Sequence, residues 1–305
     1  MSAPLLSVVV PVRNSAEFIH LTLNSLEELD KRLPLEVIFQ DANSTDGTSD
    51  LIRARCVNHP NWLHFVEKDE GQSDAINRGF ERSKGRWLAW ICADDALFPD
   101  LAEALREADR TDADILYGDL VFATIYGLIP AAGTEQWRPG ALAGRRLIIQ
   151  QPGTSWRREI WFKMNGLQKQ LFWFMDYDLF LRMETANARF RRVPLYLGTL
   201  AVHDAAKSSS GSIRRLLEVF SILWAAHRRT PRYFRLRPYL VYGIEYVIKA
   251  LDATRLVRRF PILPKPLHAL FWAVARPLEK NEIEERWKTQ GPAVTQWFQT
   301  FSRRT

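Results

Sequence analysis

Asp94 and Asp95 close an apolar run, RWLAWICA at 86–93. Ionised carboxylates at the end of a buried strand are costly unless they are paired, hydrogen-bonded or bound to a cation. Two chemistries suit them. One is acidic capping of a helix N-terminus. The other is oxygen ligation of a hard cation such as Mg²⁺ or Mn²⁺, shared with phosphate groups. Asp41 closes a second expected strand, EVIFQ at 36–40, where its carboxylate suits a hydrogen bond from a base N–H. The segment DANSTDGT that begins there reads as turn and cap chemistry, with Gly47 free to take a positive φ and Asp46 structural. In EKDEGQSDAINRGF, residues 67–80, Ser73 reads as a helix N-cap, while Asp74 and Asn77 face either a ligand or solvent. Asp176 and Asp178 stand among aromatics in FWFMDYDLFLRM, residues 172–183. Asp176 either caps a helix or serves as a general base with a shifted pKa in an apolar pocket. His203 lies in the polar loop AVHDAAKSSSG, either structural or exposed or as a third metal or diphosphate contact, and Lys207 in that loop suits phosphate charge.

These residues need elements to hold them. Short apolar runs at 6–12, 36–40, 62–66 and 86–93 read as buried strands. Helical spacing predicts helices over 16–30, 49–57, 73–83 and about 100–109 between and after them. Strand–helix alternation of this kind predicts a mainly parallel sheet flanked by helices on both faces. Ligands of such sheets sit beyond the carboxyl ends of the strands. Pro11–Asn14, Asp41–Asp46 and Asp94–Asp95 all fall at such ends. Beyond 115 the pattern loosens into one or two strands over 115–130, a strand at 153–158, and helices at 159–165 and 176–187. From about 212 the chain reads as helical and basic, interrupted by Pro231, Pro238, Pro261, Pro264 and Pro266.

With hydrophobic residues at 47% and charged residues at 25%, a packed core is expected and wholesale disorder is not. A formal charge of +7 favours anionic partners without choosing among them. Cys56 and Cys92 make neither a disulfide framework nor a zinc ligand spacing, in keeping with a reducing compartment. The start, MSAPLLSVVVPVRNSAEF, lacks a basic n-region and reads as a first strand, not a signal peptide. Nor does any run reach the roughly 18 apolar residues of a membrane span.

In their order along the chain, PVRN, QDANSTDGT, EKDEGQSDAINRGF, WICADD and MDYDLFLR resemble the family-2 glycosyltransferases of GT-A fold. The subgroup most resembled builds bacterial surface polysaccharides. The likeness covers roughly residues 5–205, and no dinucleotide fingerprint or P-loop competes with it. It implies an inverting transfer of sugar from a nucleotide diphosphate sugar, UDP-linked, to a hydroxyl of a glycan or lipid-linked acceptor. It implies that Pro11, Arg13 and Asn14 line the nucleotide, that Asp41 reads the base, and that Asp94 binds Mn²⁺ or Mg²⁺ with Asp95 assisting at the diphosphate. Asp74 is expected on the donor side, His203 near the diphosphate and metal, and Asp176 as catalytic base. One departure stands out: Cys92 occupies the place of the first acid of the family's DxD motif.

The expected organisation is a GT-A catalytic domain over 1–210 and a basic helical extension over 211–305. In the extension, YLVYGIEYVIKAL at 239–251 and LHALFWAVA at 267–275 are apolar and set among arginines. That pattern suits either peripheral contact with an anionic membrane or packing against the catalytic domain or a second copy of the chain. The expected location is cytoplasmic, at the inner face of the cell membrane if lipid is contacted. Nucleic acid is not an expected partner, since the basic residues come with no binding motif. A rival class is a non-catalytic nucleotide-sugar or glycan binder, which would keep Asp41 but need neither Asp94 nor Asp176.

Overall fold

A computed structural model of the chain describes residues 3–124, 127–131, 136–144, 149–202, 212–253 and 280–302. The first half alternates as predicted: β1 (Leu6–Val12), α1 (Ile19–Asp30), β2 (Leu35–Asp41), α2 (Thr48–Cys56), β3 (Trp62–Val66), α3 (Gln72–Arg82), β4 (Trp87–Trp90) and α4 (Leu101–Asp109). β1 pairs in parallel with β2 on one side and with β4 on the other, and β2 pairs in parallel with β3. Every residue of β2 is buried, the polar Glu36, Gln40 and Asp41 included, as in a strand covered on both faces.

Then come β5 (Ile115–Thr124), β6 (Gly127–Pro130), the single helical turn α5 (Ala141–Gly144), β7 (Thr154–Arg157), α6 (Arg158–Lys163), α7 (Met175–Thr185) and β8 (Phe190–Val202). The sheet order is β3-β2-β1-β4-β7-β5-β6, with β8 beside β5. β7 enters antiparallel between β4 and β5, so the sheet is mixed and mostly parallel.

Alternation along β1 sends its side chains into two cores. Val9 joins Ile76, Phe80, Trp156, Tyr177 and Phe180 on one face. Val8 and Val10 join Leu23, Leu26, Phe39 and Leu105 on the other. α3 lies so close to β1 that a Cβ at Gly79 would stand 2.5 Å from Val9 Cγ1.

Two local expectations change. β4 is shorter than the predicted 86–93. Its ladder with β1 ends at Val9 opposite Trp90, and the chain leaves the sheet in a turn closed by the Asp95 N–H on the Cys92 carbonyl, 3.1 Å. Ser73 is not the N-cap of α3. Gly71 enters the helix at φ 116°, where a side chain would be strained, and the Ser73 hydroxyl reaches across to the segment before α7.

The C-terminal helices are α8 (Ile213–Arg229), α9 (Arg237–Ala253) and α10 (Lys280–Ser302). Val219, Ile222, Leu223 and Ala226 of α8 belong to the same core cluster as Tyr177 and Phe180 of α7. α10 covers the far edge of the sheet, where Val294, Trp287 and Trp297 pack with Phe98, Val121 and Tyr196. There the buried Asp119 is shared by Arg192, at 3.0 Å, and Arg286 of α10. No helix among the described residues is long and apolar enough to cross a membrane.

Candidate active site

The strand order reverses at β1, with β2 and β3 to one side and β4 to the other. The crevice at the carboxyl ends of β1 and β4 is where such a sheet offers a ligand site. The loops after β1 and β2 are sewn together there. The Asn14 N–H donates to Ser44 Oγ at 2.8 Å, and the Thr45 N–H donates to Asn14 Oδ1 at 2.9 Å. Asp46 accepts the Ala16 N–H at 2.9 Å and the Thr48 N–H at 3.1 Å, the structural role expected of it. Asn14 and Asn43 take φ of 48° and 55°, a left-handed backbone that asparagine tolerates better than most residues. Arg13 is exposed beside them, and Pro11 stands half-buried opposite Gln40.

Asp41 is completely buried at the end of β2. Its Oδ1 accepts the Ser44 N–H at 2.8 Å, and its Oδ2 accepts the Ser49 hydroxyl and meets His64 Nε2 at 3.4 Å. Burial pushes its pKa up, but the hydrogen bonds from Ser49 and Ser44 outweigh that and hold it below the ordinary carboxylate value. Burial also holds the His64 imidazole below its ordinary value in spite of Asp41.

The acid turn lies one strand over. Cys92 Sγ and one carboxylate oxygen each from Asp94 and Asp95 lie within 4.8 Å of one another. Asp95 is 1% exposed. Burial, reinforced by the charge of Asp94, pushes its pKa well above the ordinary carboxylate range. Two crowded carboxylates of this kind fit a hard divalent cation, which would relieve both the desolvation and the repulsion. The thiol is a poor ligand for such a cation, and it instead meets the Gln72 side-chain amide at 3.2 Å. Asp95 also ties the turn to the end of β8, since its Oδ1 accepts the Ala201 N–H at 2.8 Å. Next to it, Ala96 and Thr199 exchange two more bonds, at 2.8 and 2.9 Å. His203 and Lys207 lie outside the described residues, just beyond this tied strand end.

The start of α3 links the acid turn to α7. Gln72 touches Cys92, while the next residue, Ser73, reaches the Leu171 carbonyl at 3.4 Å and Met175 Sδ at 3.1 Å. Asp74 is 2% exposed and engaged by three donors: Lys169 Nζ at 2.6 Å, Arg78 at 2.7 Å and the Glu70 N–H at 3.0 Å. These donors hold its pKa below the ordinary value against the pull of burial. Asn77 faces protein, not solvent: its amide clasps the Leu167 backbone through bonds of 2.8 and 2.9 Å.

Asp176 stands half-buried in the first turn of α7, beside Met175, and its Oδ1 accepts the Tyr177 N–H at 2.8 Å. Asp178 is turned to Arg182, at 2.8 Å. The segment before Asp176 is held from a distance. Glu218 of α8 accepts the N–H groups of Phe172, Trp173 and Phe174 at 2.9, 2.7 and 2.8 Å. Sequence reading does not find Glu218, because nothing local connects it to a helix start more than forty residues earlier. Gln72 and Lys169 escape it for the same reason. Through Gln72 and Ser73 the start of α3 thus touches both the acid turn and the segment entering α7.

The family model described as Glycosyl transferase family 2 matches residues 7–170, more than half of the chain. A PGL/p-HBAD biosynthesis glycosyltransferase of Mycobacterium bovis (strain BCG / Pasteur 1173P2) is 30% identical over 127 residues, 40% of this chain and 48% of that protein. The match thus spans about half the length of that relative. Among solved structures, the mannosyltransferase PcManGT from Pyrobaculum calidifontis, in complex with GDP-Man and Mn²⁺, superposes with a TM-score of 0.63 at 19% identity, covering 90% of this chain and 85% of that one. S. aureus TarS 1-349, in complex with UDP-GlcNAc, superposes with a TM-score of 0.60 at 16% identity, covering 88% and 79%. At these identities the structural likeness is one of fold.

Proposed function

The chain belongs to glycosyl transferase family 2, and we propose that it moves a sugar from a nucleotide diphosphate sugar, UDP-linked, to a hydroxyl of a glycan or lipid-linked acceptor with inversion of the anomeric centre. The observation that carries this reading is the pair Gln72 and Ser73. Through these two neighbours the acid turn at Cys92 and the start of α7 at Met175 meet across a single helix end. A donor diphosphate at the acid turn and an acceptor hydroxyl at Asp176 would therefore share one cleft.

In this reading Pro11, Arg13 and Asn14 line the nucleotide, and the buried Asp41 sets the floor on which the base is read. Asp94, with help from Asp95 and with His203, would hold Mn²⁺ or Mg²⁺. When bound, that ion supplies positive charge that offsets the charge growing on the leaving diphosphate. Asp74 serves the donor side by fixing Lys169 and Arg78. Asp176 takes the proton of the acceptor hydroxyl as its oxygen attacks opposite the leaving group, a contribution of about 10²–10⁴-fold for general base catalysis. The hydrogen bond from the Tyr177 N–H keeps one carboxylate oxygen oriented while the other receives the proton.

The test is a thermal-shift panel of nucleotide-sugars with and without Mn²⁺, followed by turnover of Asp176→Asn. The variant should keep the donor-dependent shift and lose transfer by at least about a hundredfold. Undiminished turnover would remove Asp176 from the base role, and a donor shift that ignores Mn²⁺ and survives Asp94→Ala would remove the metal from the acid turn.

A further inference from the structure

Sugar transfer does not account for the outer face of α8 and α9. One side of α8 is core, through Val219, Ile222, Leu223 and Ala226. The opposite stripe, Ile213, Leu217 and Trp224, is 50%, 59% and 59% exposed. Spacings of four and seven residues keep these side chains on one line along the helix. α9 and the segment leading into it repeat the pattern: Val241 and Tyr242 are buried, while Leu236, Leu240 and Val247 are 65%, 55% and 42% exposed. The two helices pack against each other, and each carries such an outward apolar stripe. Isolated exposed apolar residues need no explanation, but an ordered double stripe does.

The charge around this surface is one-sided. Residues 213–247 hold seven arginines, no lysine and two glutamates. Glu218 is committed to the backbone at 172–174, and Glu245 meets Arg215. Arg214, Arg228, Arg229, Arg232 and Arg235 are exposed at the two ends of the stripes. A second copy of the chain related by a two-fold axis would set arginine against arginine. A surface with an apolar interior and anionic headgroups answers both halves of the pattern.

We infer that the α8–α9 face docks on an anionic phospholipid bilayer, with Leu217, Trp224 and Leu240 entering the headgroup–acyl boundary and the flanking arginines meeting lipid phosphates. The helices lie on the membrane and do not span it. The inference does not depend on the identity of donor or acceptor.

Co-sedimentation of the full chain with vesicles tests it. Phosphatidylcholine vesicles containing about 30% phosphatidylglycerol should bind the protein, and pure phosphatidylcholine vesicles should bind at least tenfold less. Two double variants, Leu217→Glu with Trp224→Glu and Arg228→Glu with Arg232→Glu, should each weaken binding to anionic vesicles at least tenfold. All four positions are solvent-facing, so melting temperatures should match the wild type and exclude misfolding. Equal binding to both vesicle types, no binding to either, or undiminished binding by folded variants would overturn the proposal. So would light scattering that shows a wild-type dimer abolished by Leu217→Glu with Trp224→Glu, since the face would then belong to a second copy.

Discussion

Asp94 and Asp95 are neighbours with different work. Asp95 is spent on architecture as much as on charge, because its buried carboxylate fastens the acid turn to β8. The place of the pair just after a buried strand was legible from the apolar run before it, although β4 stops at Trp90 and the pair stands in the turn that follows. The tie to Ala201 was not, since it joins residues more than a hundred positions apart. Glu218 makes the same point more sharply. One carboxylate accepting three consecutive backbone N–H groups fixes the path into the first turn of α7. Glu218→Ala leaves those donors without their acceptor, at a cost of about 1–3 kcal/mol for each that water does not reach. The expected outcome in steady-state kinetics is a fall in kcat of tenfold or more with the donor KM nearly unchanged, and partial recovery in Glu218→Gln, which keeps one acceptor oxygen. Equal losses in the two variants, or a change confined to KM, would mean that Glu218 does not position Asp176.

Among the elements, the parallel half of the sheet was written plainly in the sequence. Short, mainly apolar runs separated by helical spacing leave few alternatives. The antiparallel entry of β7 was not legible. Its partners, β4 and β5, lie tens of residues away, and a four-residue strand carries no mark of which neighbours it will pair with. Ser73 shows how a sound local rule is displaced. A serine near a helix start is a good cap, but Gly71 two positions earlier supplies the turn and releases the hydroxyl for α7. Helix–strand contact at Gly79 is another feature with no local signature. In Gly79→Ala the new methyl group would meet Val9 Cγ1 at 2.5 Å and Cγ2 at 2.8 Å in a filled core. Overpacking of this kind costs about 1–3 kcal/mol, which urea denaturation should register as a lower midpoint with an unchanged slope. A midpoint equal to or above that of the wild type would mean that α3 can move off β1.

For the whole molecule, acid is the informative stress. His227 of α8 joins three elements: Nε2 lies 2.8 Å from the Ala143 carbonyl of α5 and Nδ1 lies 3.0 Å from the Tyr239 hydroxyl of α9. A neutral ring serves both, with Nε2–H donating and Nδ1 accepting. Burial pushes its pKa below the ordinary value and Arg235 adds to this, outweighing the Ala143 carbonyl. The unfolded chain therefore binds the proton first as pH falls. The contribution of His227 to stability is present above about pH 6.5 and is lost on acidification through the depressed folded value. His64 acts with the same sign. Melting temperatures from about pH 7 down to pH 5 should thus fall less steeply for His227→Gln than for the wild type. Parallel curves would show that the ring is not held neutral.

The docking of α10 has a consequence in time. Its partners Phe98, Val121 and Tyr196, like the neighbouring helix α1, are made early, while Lys280–Ser302 is made late. Synthesis at about 5–20 residues per second separates Tyr196, the last of these partners, from Lys280 by roughly 4–17 s. Throughout that interval the far edge of the sheet lacks its cover, and the buried Asp119 has Arg192 but not yet Arg286. A nascent chain is thus most in need of a chaperone over the edge that its last helix closes.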